Sequence, residues 1–367
     1  MSANSAEIVV VGAGPAGLAA AIEANRCGAS VVIADENPKP GGQLLKQTHK
    51  FFGSERHYAG TRGIDIGAKL IEEAYSREIQ ILLETPVVGI FEDLVIMAIE
   101  QEKLVGVRPK CTILATGAGE NTIAFPGWTL PGVVTAGAAQ TFVNVHRVPI
   151  GKRAIVVGSG NVGLIVAYQL RQAGMGVAAI VEAMPNVGGW GVHAAKVRRL
   201  GVPILPRHTI AEARGTDHVS EVVIQQVDDR YRSVDGTTST IEVDTICLAV
   251  GMAPRTRLAK MAGCEFTVSP ELGGRIPAHS LGMQTSVPRC FLAGDVSGIE
   301  EASTAIEEGK LAGLSAAAAL GLVDPVLYQE QASACSNALS ELRSGPFGDE
   351  RKTAKDNVVR TYERSKA

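Results

Sequence analysis

The stretch Ile8-Val9-Val10-Val11-Gly12-Ala13-Gly14-Pro15-Ala16-Gly17 returns 146 residues later as Ala154-Ile155-Val156-Val157-Gly158-Ser159-Gly160-Asn161-Val162-Gly163. In each copy an apolar run of strand length leads straight into Gly-x-Gly-x-x-Gly and then into a helix-forming segment. That order has a geometric cause. The first glycine takes the tight turn out of the strand, the second lets a pyrophosphate approach the main chain, and the third lets the new helix pack on the sheet. The helix N-terminus then presents unpaired N–H groups and a partial positive charge to the phosphates.

Working outward, the first helix runs through Leu18 to Ile22 and stops at Gly28, and strand Val31 to Ala34 ends at Asp35, 23 residues beyond Gly12. In the second copy a helix over 164–173 stops at Gly174, a strand from Val177 to Val181 follows, and Glu182 closes it 24 residues beyond Gly158. An acid at that distance accepts hydrogen bonds from the adenosine ribose hydroxyls. A glycine turn without a ligand is the bland reading of either loop alone. Two complete contexts favour a protein that holds two dinucleotides at once.

The remaining chain fits around these units. The 367 residues suffice for two cores, and 41 glycines with only 4% aromatics suit tight βα turns. A net charge of −3 with mixed signs gives no footprint for nucleic acid or an anionic membrane. No apolar run reaches the roughly 18 residues of a membrane span. The N-terminal segment reads as the first strand rather than a signal peptide. Six scattered cysteines, with no C-x-x-C, argue for a reducing cytoplasm and against a disulfide framework, zinc site or iron–sulfur cluster; Cys111 and Cys247 read as inert core residues.

A loop at 36–43 is rich in proline and glycine, a helix is expected over 67–78, a strand over 79–83 and a β-meander over 86–108. Strand Cys111 to Ala115 ends in Thr116-Gly117, and 125–132 reads as a linker. The expected fold is α/β, with two Rossmann-like domains, each a parallel sheet with helices and a small β-meander. The first domain, discontinuous, covers 1–121 and 254–325; the second, inserted, covers 122–253; residues 326–367 form a helix (326–342) and a mobile charged tail from Gly345. Late in the chain, strand Cys290 to Ala293 ends in Gly294-Asp295, and a helix starts between Ser297 and Ser303, with Glu300 and Glu301 read as facing solvent.

The ordered set GxGPAG, acid, Gly41-Gly42-Gln43, Ala115-Thr116-Gly117, second GxGxxG, Val250-Gly251-Met252-x-Pro254 and Ala293-Gly294-Asp295 resembles the pyridine nucleotide–disulfide oxidoreductase superfamily over residues 6–322, in the layout of its thioredoxin-reductase-like branch. The resemblance implies FAD on the first unit and NAD(P)H on the second. It carries FAD contacts to Gly12, Gly14, Pro15, Ala16, Gly17, Asp35, Glu36, Gly42, Gln43, Val88, Thr116, Gly117, Gly294, Asp295 and Ala302. For the second nucleotide it carries Gly158, Gly160, Asn161, Val162, Gly163, Glu182 and Gly251. A carboxylate at Glu182, with no arginine in Ala183-Met184, selects NADH over NADPH.

The departures are equally informative. Leu44 and His49 stand where one branch of the superfamily carries its cysteine pair, and Ala136-Gly137-Ala138-Ala139 stands where thioredoxin reductases carry C-x-x-C. Neither leucine nor alanine supplies a thiolate nucleophile. Leu130-Pro131-Gly132-Val133-x-Thr135-Ala136-Gly137-Ala138-Ala139-Gln140-Thr141 and Asp35-Glu36-Asn37-x-x-Pro40-Gly41-Gly42-Gln43-Leu44 are similar to the FAD/NAD-type subunits of amine and amino-acid dehydrogenases, among them proline dehydrogenase, opine oxidase, hydrogen cyanide synthase and sarcosine oxidase α.

That resemblance implies a second flavoprotein or electron-transfer subunit as partner and a small-molecule substrate. Two other readings stay open: a stand-alone NADH:acceptor reductase, and a flavoprotein scaffold or redox sensor without turnover. His49 is the one candidate for acid–base work, since imidazole titrates in the useful range. His146, His193, His208, His218 and His279 show no metal spacing and read as surface or loop residues, and Trp128 and Trp190 as packing residues.

Overall fold

A computed structural model describes residues 6–91, 96–100, 103–345 and 348–366. The chain divides into two compact units: one formed by residues up to 45, 50–119 and 253–367, the other by 46–49 and 120–252.

The first unit is built on a five-stranded parallel sheet in the order Cys290–Leu292, Cys111–Leu114, Ile8–Val11, Val31–Ala34, Gln80–Leu82. Strand Ile8–Val11 sits at its centre because all four residues are apolar and both faces are covered. Ile8 and Val10 enter one core with Leu18, Ile22, Ile33 and Ile113; Val9 and Val11 enter the other with Val32, Leu114 and Leu292. A two-residue alternation therefore feeds two hydrophobic layers from one short strand.

Helix Pro15–Arg26 follows the loop, with proline at its first turn, where a missing N–H costs nothing. Helix Ala302–Ala319 lies on it along small residues. A Cβ on Gly309 would come within 2.2 Å of the Ala16 carbonyl oxygen, and one on Gly313 within 2.2 Å of that of Ala20. The expected meander forms from Val87–Ile90, Ile96–Glu100 and Lys103–Val107, antiparallel throughout; residues 92–95 and 101–102 lie outside the described residues.

The second unit repeats the architecture. Its parallel sheet runs Ile204–Pro206, Gly176–Glu182, Arg153–Val157, Thr245–Leu248, Val133–Thr135. Ala154 and Val156 face one core while Ile155 and Val157 face the other. An antiparallel sheet of His208–Arg214, Glu221–Gln226 and Ser239–Glu242 takes the place of the meander.

One expectation is overturned at the C-terminus. After helix Pro325–Leu342 the charged segment is helical again, Asp349–Lys366, rather than a mobile tail. Ala354 and Val358, one turn apart, pack on Leu272 and Ile276, and Lys355 between them is buried. A high average charge concealed a narrow apolar stripe flanking one internal cation.

Candidate functional site

In the first loop a Cβ on Gly12, whose φ is +107°, would lie 2.4 Å from the Ala115 carbonyl oxygen, and one on Gly17 would lie 1.8 Å from that of Gly12. Strand, turn and helix are thus in backbone contact. Gly14 differs: a Cβ there meets nothing within 4 Å. Gly14 also caps helix Pro15–Arg26 without a side-chain hydrogen bond, and the first turn carries no acid. The helix N–H groups are therefore left to an outside acceptor, in a space that a side chain at Gly14 would enter. Those are the requirements of a pyrophosphate.

Asp35 is buried and braces the loop: Oδ2 accepts from Ala13 N at 2.6 Å, and Oδ1 from Asn37 N at 2.7 Å and Asn37 Nδ2 at 2.8 Å. Gly41 and Gly42 fold back onto the same loop, with Gly41 N donating to Ala13 O at 2.8 Å and a Cβ on Gly42 reaching 2.8 Å from Gly14 Cα. Gln43 is exposed, and Glu36 is an exposed partner of Arg255 at 2.8 Å. Thr116 Oγ1 donates to Arg255 O at 2.8 Å, and Gly117 O accepts from Arg255 N at 2.9 Å. Val88 stands half-exposed on the meander.

The second loop repeats the construction of the first. A Cβ on Gly158 would lie 2.3 Å from the Ala249 oxygen, one on Gly163 2.0 Å from the Gly158 oxygen, and one on Gly160 meets nothing. Gly160 caps helix Asn161–Gln172, again with no acid in the first turn. Glu182 Oε2 accepts from Ser159 N at 2.8 Å and Ser159 Oγ at 2.7 Å, and Oε1 from Met184 N at 2.9 Å. Val162 is part-exposed on the helix, and Gly251 O accepts from Asn121 N at 3.0 Å.

Two features of this loop escaped sequence reasoning. Gly188-Gly189 closes over it as Gly41-Gly42 closes over the first: Gly189 N donates to Ser159 O at 2.8 Å, Gly188 N to Ser159 Oγ at 3.1 Å, and Trp190 N to Asn161 Oδ1 at 2.8 Å. The available signal was an ungapped echo, acid-x-x-Pro-x-x-Gly-Gly, at 35–42 and 182–189. Arg207, remote in sequence, donates its backbone N–H to Met184 O at 3.1 Å, while its guanidinium binds Asp229 at 2.6 Å.

The turn Gly294–Ser297 has no counterpart in the second unit's motif set. Asp295 lies inside it, and burial pushes its carboxyl up to about 6; its hydrogen bond from Glu300 N is a long one, 3.4 Å. A carboxylate so poorly supplied with donors suits a hydroxyl-bearing ligand. Helix Ala302–Ala319 begins just beyond, with Ala302 at its N-terminus and no acid in its first turn.

Glu300 does not face solvent as expected. Its side chain is 5% exposed and takes Arg343 Nε at 2.9 and 3.1 Å. Next to it Glu308, fully buried, has its carboxyl held down at about 2 despite burial, because Lys355 and Arg343 flank it. The sequence carries no periodic signal for this cluster, whose members come from helix Ala302–Ala319, the segment just before it and the two C-terminal helices.

His49 belongs to the second unit, its ring 6.0 Å from that of His193 and nearly perpendicular to it. Burial lowers its pKa to about 4, helped by His193 and Lys196. At pH 7 only about one such ring in a thousand is protonated, which makes it a weak base and an ineffective acid. His193 and His279, read from sequence as surface or loop residues, are buried, and Trp128, read as packing, is 46% exposed.

Leu44, Ala136 and Ala139, at positions of family cysteines, are wholly buried core residues. Cys111 and Cys247 are buried, their thiols pushed up to about 11 and about 12 by desolvation. All six cysteines are free. Among the described residues there is no group of acids, histidines and cysteines able to hold a metal, and no helix long and apolar enough to cross a membrane.

Comparison with known proteins agrees with this geometry. The profile of the family described as pyridine nucleotide-disulphide oxidoreductase matches residues 6–309. The HcnB subunit of hydrogen cyanide synthase from Pseudomonas aeruginosa is 31% identical over 356 residues, covering 92% of this chain and 74% of that protein. An opine oxidase subunit from Agrobacterium tumefaciens is 29% identical, covering 86% of this chain; the chain spans 66% of that protein's length. Among solved structures, T. acidophilum thioredoxin reductase superposes with a TM-score of 0.71 at 22% identity, over 85% of this chain and 98% of that one. L-proline dehydrogenase from P. horikoshii does so with 0.69 at 22% identity, over 90% and 58%.

Proposed function

The chain belongs to the pyridine nucleotide-disulphide oxidoreductase family, and from that premise we propose that it is an FAD-dependent, NAD(H)-linked oxidoreductase acting as one subunit of an amine or amino-acid dehydrogenase complex. One observation carries the reading: two loops of the same construction, each with an open cradle at its second glycine, which caps a helix with no acid in its first turn.

FAD on the first unit and NAD(H) on the second would supply the hydride-transfer chemistry. The protein's part is to bind and orient. The N–H groups beyond Gly14 and Gly160 hold pyrophosphate oxygens, and Asp35 and Glu182 offer their remaining lone pairs to ribose hydroxyls. Asp295 accepts from a ribityl hydroxyl. The N-terminus of helix Ala302–Ala319, with no acid in its first turn, would favour negative charge on a flavin held there. No thiol of this chain takes part, because the cysteine positions of the disulfide-reducing relatives are core leucine and alanine here.

The partner is a second flavoprotein or electron-transfer subunit that oxidises the C–N bond of a small-molecule substrate. The reading rests on the subunit names of the relatives above. Affinity purification from the native host tests it. A copurifying flavoprotein, with amino-acid oxidation only by the pair, is the expected result. Sustained NADH-driven dye reduction by the lone chain, with no flavoprotein copurifying, makes it a stand-alone reductase instead. A yellow protein that NADH leaves yellow is a scaffold.

A further inference from the structure

Resting on the reading of the first unit as the flavin site, we infer that Glu308, Arg343 and Lys355 form a latch through which the two C-terminal helices position the Gly294–Asp295 turn for FAD. Glu308 Oε2 accepts from Gly294 N at 3.0 Å and from Ser297 Oγ at 2.8 Å, so one carboxylate oxygen pins both ends of the turn that carries Asp295. Its other oxygen, Oε1, takes Lys355 Nζ at 2.7 Å and Arg343 Nη2 at 2.5 Å. Lys355 also donates to Ser297 O at 3.0 Å and Ser297 Oγ at 2.9 Å. An ammonium has three N–H groups, and all three are spent on the turn and the residue that pins it. Arg343 bridges Glu308 to Glu300, so the start of the following segment is tied into the same cluster.

The placement matters for three reasons. Two carboxylates and two cations balance each other out of water, so removing either cation leaves a buried charge unpaired beside Asp295. Both cations come from the C-terminal helices, Arg343 at the end of Pro325–Leu342 and Lys355 within Asp349–Lys366. Finally, the last helix has a narrow apolar seat, Ala354 and Val358 on Leu272 and Ile276, so Lys355 provides a large part of what ties it to the turn. The latch residues act through Gly294, Ser297 and Asp295; they are positioning residues and touch no reacting atom.

The test compares the wild-type apoprotein with Lys355→Met and Lys355→Arg in FAD titrations followed by fluorescence, with amide exchange measured at 294–297. Lys355→Met should keep its helicity, bind FAD about tenfold or more weakly, as loss of a supporting shell does at other cofactor sites, and exchange the Gly294 amide faster. Lys355→Arg should recover most of both losses. If Lys355→Met does not fold, Glu308→Gln, close to isosteric, is judged on the same two readouts. Wild-type affinity together with wild-type exchange in the variant overturns the latch and leaves the flavin reading standing. A wild-type chain that takes up no FAD overturns the flavin reading, and the latch with it.

Discussion

In the first unit a Cβ on Gly12 would strike the carbonyl oxygen of Ala115; in the second a Cβ on Gly158 would strike that of Ala249. Asp35 grips the N–H groups of Ala13 and Asn37, and Glu182 those of Ser159 and Met184, at equivalent positions. Even the strand orders agree. The units diverge most where a return segment enters the first: strand Cys290–Leu292 forms its sheet edge, ends in the buried turn of Asp295, and feeds a helix whose internal carboxylate is held by the C-terminal helices. The second sheet closes instead on Val133–Thr135, which leads into a short helix of small residues. A glycine loop with its acid is therefore a general adenine-dinucleotide holder. What the first copy adds, at the far edge of its sheet, is the buried turn of Asp295 and the helix behind it, the material on which the proposed flavin site depends.

The sharpest way to break this comparison is to fill one cradle at a time. Gly14→Val and Gly160→Val put a branched side chain where a Cβ meets nothing within 4 Å, at backbone angles that any residue adopts (φ −75° and −63°). Each should fold with an apo Tm within about 2 °C of wild type. Each should lose its own dinucleotide by about a hundredfold or more while sparing the other. Gly14→Val should be colourless and still bind NADH; Gly160→Val should stay yellow. Calorimetric titration with each nucleotide decides, and a variant that loses both ligands would mean the two loops are not independent sites.

Next in size is Asp295→Ala, which removes an acceptor that exists in one unit only. A buried hydrogen bond to a charged group is worth about 1.5–3 kcal/mol, so FAD affinity should fall about 10- to 100-fold with NADH binding unchanged. Equal losses at both sites would show that Asp295 acts on the fold and not on the ligand.

The first of these units was legible almost entirely from sequence, because its strand, loop, helix and acid are local and each has a compositional signature. So was the fold class, since two such units impose the parallel sheets. The latch was not legible. Glu300 reads as a solvent-facing acid until Arg343, 43 residues away, and Lys355 are brought against it and Glu308 by tertiary packing. His49 differs in kind: the ordinary imidazole pKa suggested acid–base work, and burial, with His193 and Lys196 beside it, lowers that pKa to about 4. Periodicity finds faces, while buried charge pairs are long-range and leave no period.

A pH series sharpens the same contrast at about tenfold. Burial raises the Asp295 carboxyl to about 6 from 3.8, so the folded chain takes up a proton between roughly pH 6 and 4 that the unfolded chain does not, and this group favours folding more as pH falls through that window. A hydroxyl donor prefers the carboxylate, so FAD should bind about tenfold more weakly at pH 5 than at pH 7.5. Glu308, held near 2, stays ionised across the series and adds no slope. Asp295→Asn should flatten the dependence; an unchanged slope in that variant would assign it to another group.

The smallest expected effect concerns selectivity in the second unit. Glu182 does two things at once: it braces Ser159 and Met184, and it places a negative charge where the ribose of the second nucleotide is proposed to lie. Glu182→Ala removes both, so a weakened loop would lower affinity for NADH and NADPH alike. Glu182→Gln separates them in part: its amide oxygen still accepts from Ser159 N and Oγ, its NH2 can no longer accept from Met184 N, and the charge is gone. It should hold NADH affinity within about threefold and raise NADPH affinity about three- to tenfold, the scale of one partly screened charge against a phosphate. Arg207 sets a second lever: its backbone N–H binds Met184 O at 3.1 Å, while its guanidinium is held by Asp229 at 2.6 Å in an exposed pair. Adding Asp229→Asn to Glu182→Gln frees that cation and should shift the ratio further toward NADPH. Direct titrations of both nucleotides read the ratio; if it does not move in either variant, Glu182 does not face the 2′ position and the second cradle holds its nucleotide in another orientation.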